Sequence, residues 1–118
     1  TSAAETVKKG AFYEVRVDTT RSANGSMTAT ITTVGKSGYH CNMLYPWKLV
    51  VDQSEGLSVA KPVQKKEDAV QFTEKAVVFR FLFTASAAVK TLSASLKLSL
   101  CDDKQCQMET VILTSPAQ

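Results

Sequence analysis

Leu92-Ser93-Ala94-Ser95-Leu96-Lys97-Leu98-Ser99-Leu100 places an apolar residue at every second position and a serine or lysine between them. An amphipathic helix repeats its apolar residues about every 3.6 positions, whereas a strand with one buried face repeats them every two. The leucine-rich run therefore reads as a strand. The segment before it carries the strongest signal of the same kind. In Lys75 to Ala85, Val77, Phe79, Phe81 and Phe83 fall on one face, and Val78, Arg80 and Leu82 on the other. Past the leucine run, Met108 to Thr114 reads as the last strand.

The same period recurs toward the N-terminus. Tyr13, Val15 and Val17 alternate with Glu14, Arg16 and Asp18, and Met27, Ala29 and Ile31 alternate with threonines in Ser26 to Val34. Between these two strands Asn24-Gly25 is a turn signal, because both residue types tolerate positive φ, and the pair predicts a hairpin. Lys48 to Val51 is a short strand entered through Pro46 and Trp47. Asp52 to Gly56 is a turn, and Leu57 to Val63 a weaker strand ending near Pro62. Gln64 to Asp68 is polar throughout and reads as a solvated loop or short turn before Ala69 to Phe72. No stretch has the pattern of an amphipathic helix or an internal repeat. Short alternating strands separated by turns predict an all-β fold, an immunoglobulin-like antiparallel β-sandwich of about seven to nine strands. Their alternation implies one buried and one solvated face per sheet.

With 118 residues, 44% hydrophobic and 21% charged, the chain has the size and composition of one globular domain. The expected division is a polar N-terminal extension over residues 1–10 and one sandwich domain over 11–115. No run approaches the roughly 18 apolar residues of a membrane span, so no span is expected in this chain. The net charge of +3 comes from 14 basic and 11 acidic residues. The basic residues are scattered, with pairs only at Lys8-Lys9 and Lys65-Lys66. Phosphate tracking wants a sustained cationic stripe, so nucleic acid is not an expected partner. The chain starts at Thr1 with no signal-like apolar core, which leaves its compartment open.

The residues able to carry chemistry are three cysteines, Cys41, Cys101 and Cys106. Cys101 and Cys106 flank the polar loop Asp102-Asp103-Lys104-Gln105. If the flanking strands pair as a hairpin, the two thiols face each other across its neck within disulfide reach. Such a pair is either a structural staple or a reactive site. A bridge closing so short a loop contributes only about 2 kcal/mol in the chain-entropy account, while its place at a sheet edge leaves it open to an attacking thiolate. Asp102 and Asp103 disfavour a thiolate beside them, and only Lys104 pulls the other way. Cys41 lies elsewhere and is left over, unpaired or available for an intermolecular bridge.

Other chemistries find less support. His40 and Cys41 are adjacent, so they point to opposite faces of a strand, and the Cys-x4-Cys spacing lacks a matching second pair, which argues against zinc. His40 reads as a surface or edge residue. A single histidine and no nucleophile-elbow glycines argue against a hydrolase, and there is no phosphate-binding glycine loop. No cofactor is implied. Tyr39, Tyr45 and Trp47 cluster around Cys41 and Pro46; Trp and Tyr favour interfaces, so they read either as a binding patch or as packing, and for Trp47 core packing is the expectation.

Two segments together resemble the DsbD N-terminal-like domain family. Gly38-Tyr39-His40-Cys41-Asn42-Met43-Leu44-Tyr45-Pro46-Trp47-Lys48-Leu49 is similar to that family's segment of glycine-tyrosine, then asparagine, then tyrosine-proline leading into a strand. Leu98-Ser99-Leu100-Cys101-Asp102-Asp103-Lys104-Gln105-Cys106 is similar to its closing cysteine hairpin. The resemblance spans most of Phe12 to Thr114. It implies an immunoglobulin-like domain in the bacterial periplasm, or otherwise extracytoplasmic, that relays electrons to or from a thioredoxin-like protein or domain. Cys101 and Cys106 take the redox-active positions, with Cys106 the expected attacking residue because Cys101 lies closer to the aspartates. Cys41 receives no role. The sequence departs from the family in having one residue fewer between the cysteines, no tyrosine-proline-proline after the second, and no aromatic cap loop beyond Phe72 in the stretch Gln64 to Phe72. Two functions are therefore carried forward: a periplasmic thiol-disulfide exchange domain, and a non-catalytic extracytoplasmic interaction module with a structural hairpin disulfide.

Overall fold

The computed structural model describes residues 3–117. Eleven strands form two antiparallel sheets packed face to face. The first sheet has the order β1 (Ala3–Lys9), β2 (Tyr13–Arg21), β3 (Met27–Gly35), β9 (Val77–Ala85), β6 (Leu57–Val59), and β8 (Gln71–Phe72) also pairs with β9. The second has the order β11 (Cys106–Pro116), β10 (Thr91–Cys101), β5 (Lys48–Val51), β7 (Val63–Lys65), and β4 (His40–Cys41) also pairs with β10. The immunoglobulin-like sandwich read from the alternation is the fold. Four strands, β4, β6, β7 and β8, are only two or three residues long, which is why periodicity alone suggests fewer than eleven.

The core follows from the period-two pattern. Leu92, Ala94, Leu96, Leu98 and Leu100 of β10 are all buried, as are Val77, Phe79, Phe81 and Phe83 of β9. Val15 and Val17 of β2, Ile31 of β3 and Leu49 and Val51 of β5 complete the layer between the sheets. Burying side chains of this size contributes roughly 1.5 to 3 kcal/mol each relative to exposure.

Four local expectations change. The segment Leu57 to Val63 is not one strand: β6 pairs with β9 in the first sheet and β7 with β5 in the second. Pro62 sits at the crossover, where its missing N–H costs no ladder bond, and its carbonyl accepts the Val51 N–H at 2.7 Å. Gln64 is not solvated. It is 2% exposed, and its side-chain amide donates to the Arg80 carbonyl at 3.0 Å. Lys66–Asp68 form a short 3₁₀ turn after it.

The other two changes lie nearer the N-terminus. The stretch ahead of Gly10 is a strand, paired along its length with β2. Lys8 Nζ donates to the Ile112 carbonyl of β11 at 3.1 Å and so ties the first sheet to the edge of the second. The β2–β3 hairpin forms as expected, but only Gly25 takes positive φ, at 89°. The Gly25 N–H donates to the Ser22 carbonyl at 3.1 Å, so Asn24 stays in an ordinary conformation and Gly25 alone makes the reversal.

Candidate functional site

The cysteine hairpin is set by register. β10 and β11 pair without interruption from Thr91 opposite Pro116 to Cys101 opposite Cys106. Leu100 points into the core, so the next residue, Cys101, stands on the outer face of the sheet. Directly opposed residues of an antiparallel pair share a face with Cβ atoms about 5 Å apart. Cys101 and Cys106 are joined in a disulfide with Cα atoms 3.9 Å apart. Beyond them the chain reverses on Asp102, whose carboxylate accepts the N–H groups of Lys104 and Gln105, both at 2.8 Å. The Asp102 N–H donates to the Gln105 carbonyl at 2.9 Å. Those backbone donors, Lys104 first, hold the Asp102 carboxyl below its usual range, with a smaller contribution from the Tyr39 hydroxyl. Asp102 thus shapes the turn as well as adding charge beside the sulfurs.

The two sulfurs are not equivalent. Cys101 is 8% exposed, whereas Cys106 lies open to solvent. A thiol approaching from outside meets Cys106 first.

On the other flank of β10 lies β4, brought there by a tight turn. The Tyr39 N–H donates to the Lys36 carbonyl at 2.8 Å, and Gly38 supplies the positive φ of 86° that this reversal needs. The Tyr39 carbonyl passes so close to Gly35 that a Cβ there would lie 2.3 Å from it. β4 pairs with β10 so that Cys41 opposes Leu100 and His40 opposes Cys101. His40, Cys101 and Cys106 therefore form one row across three neighbouring strands, on the outer face. His40 Nε2 lies 3.7 Å from Glu74 Oε2, and the Glu74 carbonyl accepts the Cys41 N–H at 2.9 Å. In the sequence His40 reads as an edge residue. Its place beside Cys101 depends on the pairing of a two-residue strand, and so short a strand leaves no periodicity to read.

Cys41 faces the opposite way, into the core, and is fully buried. Its sulfur lies 3.9 Å from the Thr33 carbonyl, and burial pushes the thiol up to about 11. It forms no disulfide within the chain, and its burial removes it as a surface partner for an intermolecular bridge. Trp47 is core, as expected, with its indole N–H donated to the Asn42 carbonyl at 2.8 Å. Phe72, the one aromatic residue in the expected cap stretch, packs edge-on against Trp47 with ring centroids 6.3 Å apart. Met108, opposite Ser99 and two residues past Cys106, is 69% exposed on the face of the disulfide. Among the described residues no group of three or more His, Cys, Asp or Glu is placed to hold a metal ion. A groove of about 450 Å³ at Gln64, Arg80 and Leu82 includes neither bridged cysteine.

No protein-family model and no curated protein matches the chain. Solved structures do. The GAE domain of GGA2p from Saccharomyces cerevisiae is similar at 11% identity with a TM-score of 0.62, covering 98% of this chain and 100% of that one. The N-terminal periplasmic domain of ScsB from Proteus mirabilis is similar at 17% identity and a TM-score of 0.58, with 96% of this chain covering 51% of that one. The yeast GGA1 GAE domain matches at 12% identity and 0.55, covering 93% of this chain and 97% of that one. The chain thus spans about half the length of the ScsB domain. At these identities the likeness is one of fold: a sandwich found in yeast GAE domains and in a bacterial periplasmic domain alike. In this chain the fold carries a bridged cysteine pair at a hairpin neck.

Proposed function

We propose that this protein is a thiol-disulfide exchange domain in which Cys101 and Cys106 pass electrons to or from a thioredoxin-like protein or domain, in the periplasm or another extracytoplasmic compartment. The observation that carries the reading is the asymmetry of the disulfide. Cys106 is exposed and Cys101 nearly buried on the outer face of the second sheet. Thiol-disulfide exchange needs one sulfur open to attack and the other able to leave and later return. The fold likeness to a periplasmic domain and the two segments similar to DsbD N-terminal-like domains support it. The fold does not choose the activity, since GAE domains share it; the cysteine pair does. Exposed Met108 beside Cys106 offers a small apolar contact to a docking partner.

Trapping tests the proposal. With Cys101→Ser, the remaining Cys106 attacks a partner disulfide and no second thiol resolves the product, so a mixed disulfide with a thioredoxin-like protein accumulates. Cys106→Ser leaves only the buried thiol and accumulates far less. If neither variant captures any thioredoxin-like protein, the exchange reading fails. The second reading, a non-catalytic module with a structural disulfide, is favoured by Phe72 packing on Trp47 and by Asp102 serving the turn.

A further inference from the structure

The row His40, Cys101, Cys106 assigns a role to His40 that its position in the sequence does not suggest. We infer that His40, set beside Cys101 by β4 and paired with Glu74, is the proton donor and acceptor for the buried sulfur of the exchange pair. The inference rests on the exchange reading above and deepens it.

Register carries it. His40 opposes Cys101 in the β4–β10 pairing, as Cys106 opposes it in the β10–β11 pairing, so the imidazole lies on the face of the disulfide, about 5 Å away at Cβ. The imidazole is partly exposed, with its side chain 45% accessible, so it exchanges protons with solvent. Glu74 Oε2 at 3.7 Å from Nε2 orients the ring. The elements packed around β4 carry few other titratable or charged groups: Lys36 just after β3, Tyr39 at the entry to β4 with its hydroxyl on Asp102, Asp102 at the end of β10, and Glu74 and Lys75 ahead of β9. Asp102 is engaged by the turn's own N–H groups. Imidazole is the side chain that changes charge near neutral pH, and a leaving sulfur shielded from water, as the 8%-exposed Cys101 is, takes its proton from a neighbouring acid.

The chemistry balances as follows when a dithiol reduces the pair. A thiolate of the dithiol bonds to Cys106 Sγ and the Cys101–Cys106 bond breaks. Its electron pair goes to Cys101 Sγ, which takes the proton of the His40 imidazolium. The products are a mixed disulfide at Cys106, a Cys101 thiol and a neutral His40. The dithiol's second thiolate then attacks its own sulfur in the mixed disulfide and releases Cys106 as thiolate. The dithiol leaves as a disulfide, and the pair in this chain has gained two electrons. In the opposite direction neutral His40 takes the Cys101 proton as that sulfur resolves a mixed disulfide at Cys106.

The test is the rate at which dithiothreitol reduces the oxidised chain, measured from pH 5 to pH 9 for wild type and for His40→Gln. The ratio of the two rates cancels the ionisation of the reagent. General acid assistance predicts a ratio on the order of tenfold at pH 5.5, below the larger gains typical of poorer leaving groups. The ratio falls toward one at alkaline pH, where an imidazole side chain is neutral and has no imidazolium proton to give. Glu74→Gln keeps the pH-dependent ratio at reduced size. Equal rates at alkaline pH show that His40→Gln folds with its disulfide accessible. A ratio that stays flat across the range, at one or at any other value, overturns the role of His40 and leaves the exchange reading standing. Failure of the trapping experiment with intact pH dependence would instead remove the protein partner and keep the imidazole's effect on the disulfide.

Discussion

Tyr13 donates its phenolic O–H to the Glu109 carboxylate, joining β2 of one sheet to β11 of the other. Burial first, and then the neighbouring carboxylate, push the phenol up to about 12 from an ordinary 10. The folded value is raised, so the stabilisation is complete below pH 10 and is lost as pH rises through about 12. Wild type should lose roughly 2 to 3 kcal/mol over that window relative to Tyr13→Phe, which has no phenol to ionise; denaturant titrations at pH 9 and pH 12 measure the difference. Cys41 gives a second prediction on the same scale. Buried and protonated, it should resist iodoacetamide in the native oxidised chain and take one label on unfolding, read by mass spectrometry. A native label at Cys41 would mean that the core opens at β4. That one cysteine would be left over is legible in the spacing. That it faces the core while His40 faces the disulfide needs the register of β4.

Among the elements, the β10–β11 hairpin and β4 carry the candidate site. The hairpin is legible: alternation gives both strands, and the Cys-x4-Cys spacing places the bridge at their neck. The disulfide closes a short loop, so Cys101→Ser with Cys106→Ser should cost only about 2 kcal/mol, measured as a lower urea midpoint at unchanged slope. β4 is the opposite case. Its pairing hangs on Gly35, where the Tyr39 carbonyl leaves no room for a side chain, and on Gly38, whose positive φ of 86° strains any residue with a Cβ. Gly35→Ala should displace the Tyr39 carbonyl and cost roughly 1 to 3 kcal/mol. It should also weaken the pH-dependent rate ratio attributed to His40, since it shifts the strand that carries the imidazole. The crossover at Pro62 was hidden for a related reason. The inward face shifts from Leu57 and Val59 to Gln64 across the crossover, so the apolar Val63 points outward, and Gln64 looks solvated because its partner, the Arg80 carbonyl, lies on the other sheet.

For the whole molecule, the period-two patterning of β9 and β10 accounts for two sheets and a shared apolar layer, and Leu96 stands fully buried in it. Leu96→Ala should cost 2 to 5 kcal/mol as an unfilled cavity, seen in equilibrium unfolding. The sandwich itself occurs in yeast GAE domains and a bacterial periplasmic domain, so the proposed exchange activity rests on the asymmetric disulfide and not on the fold. Its reduction potential separates the two functional readings in one number, obtained by equilibrating the pair against defined thiol-disulfide buffers and counting alkylated Cys101 and Cys106. An exchange domain predicts a potential above about −300 mV, in the range of oxidoreductases. A value well below that would mark a structural bridge and contradict the proposal.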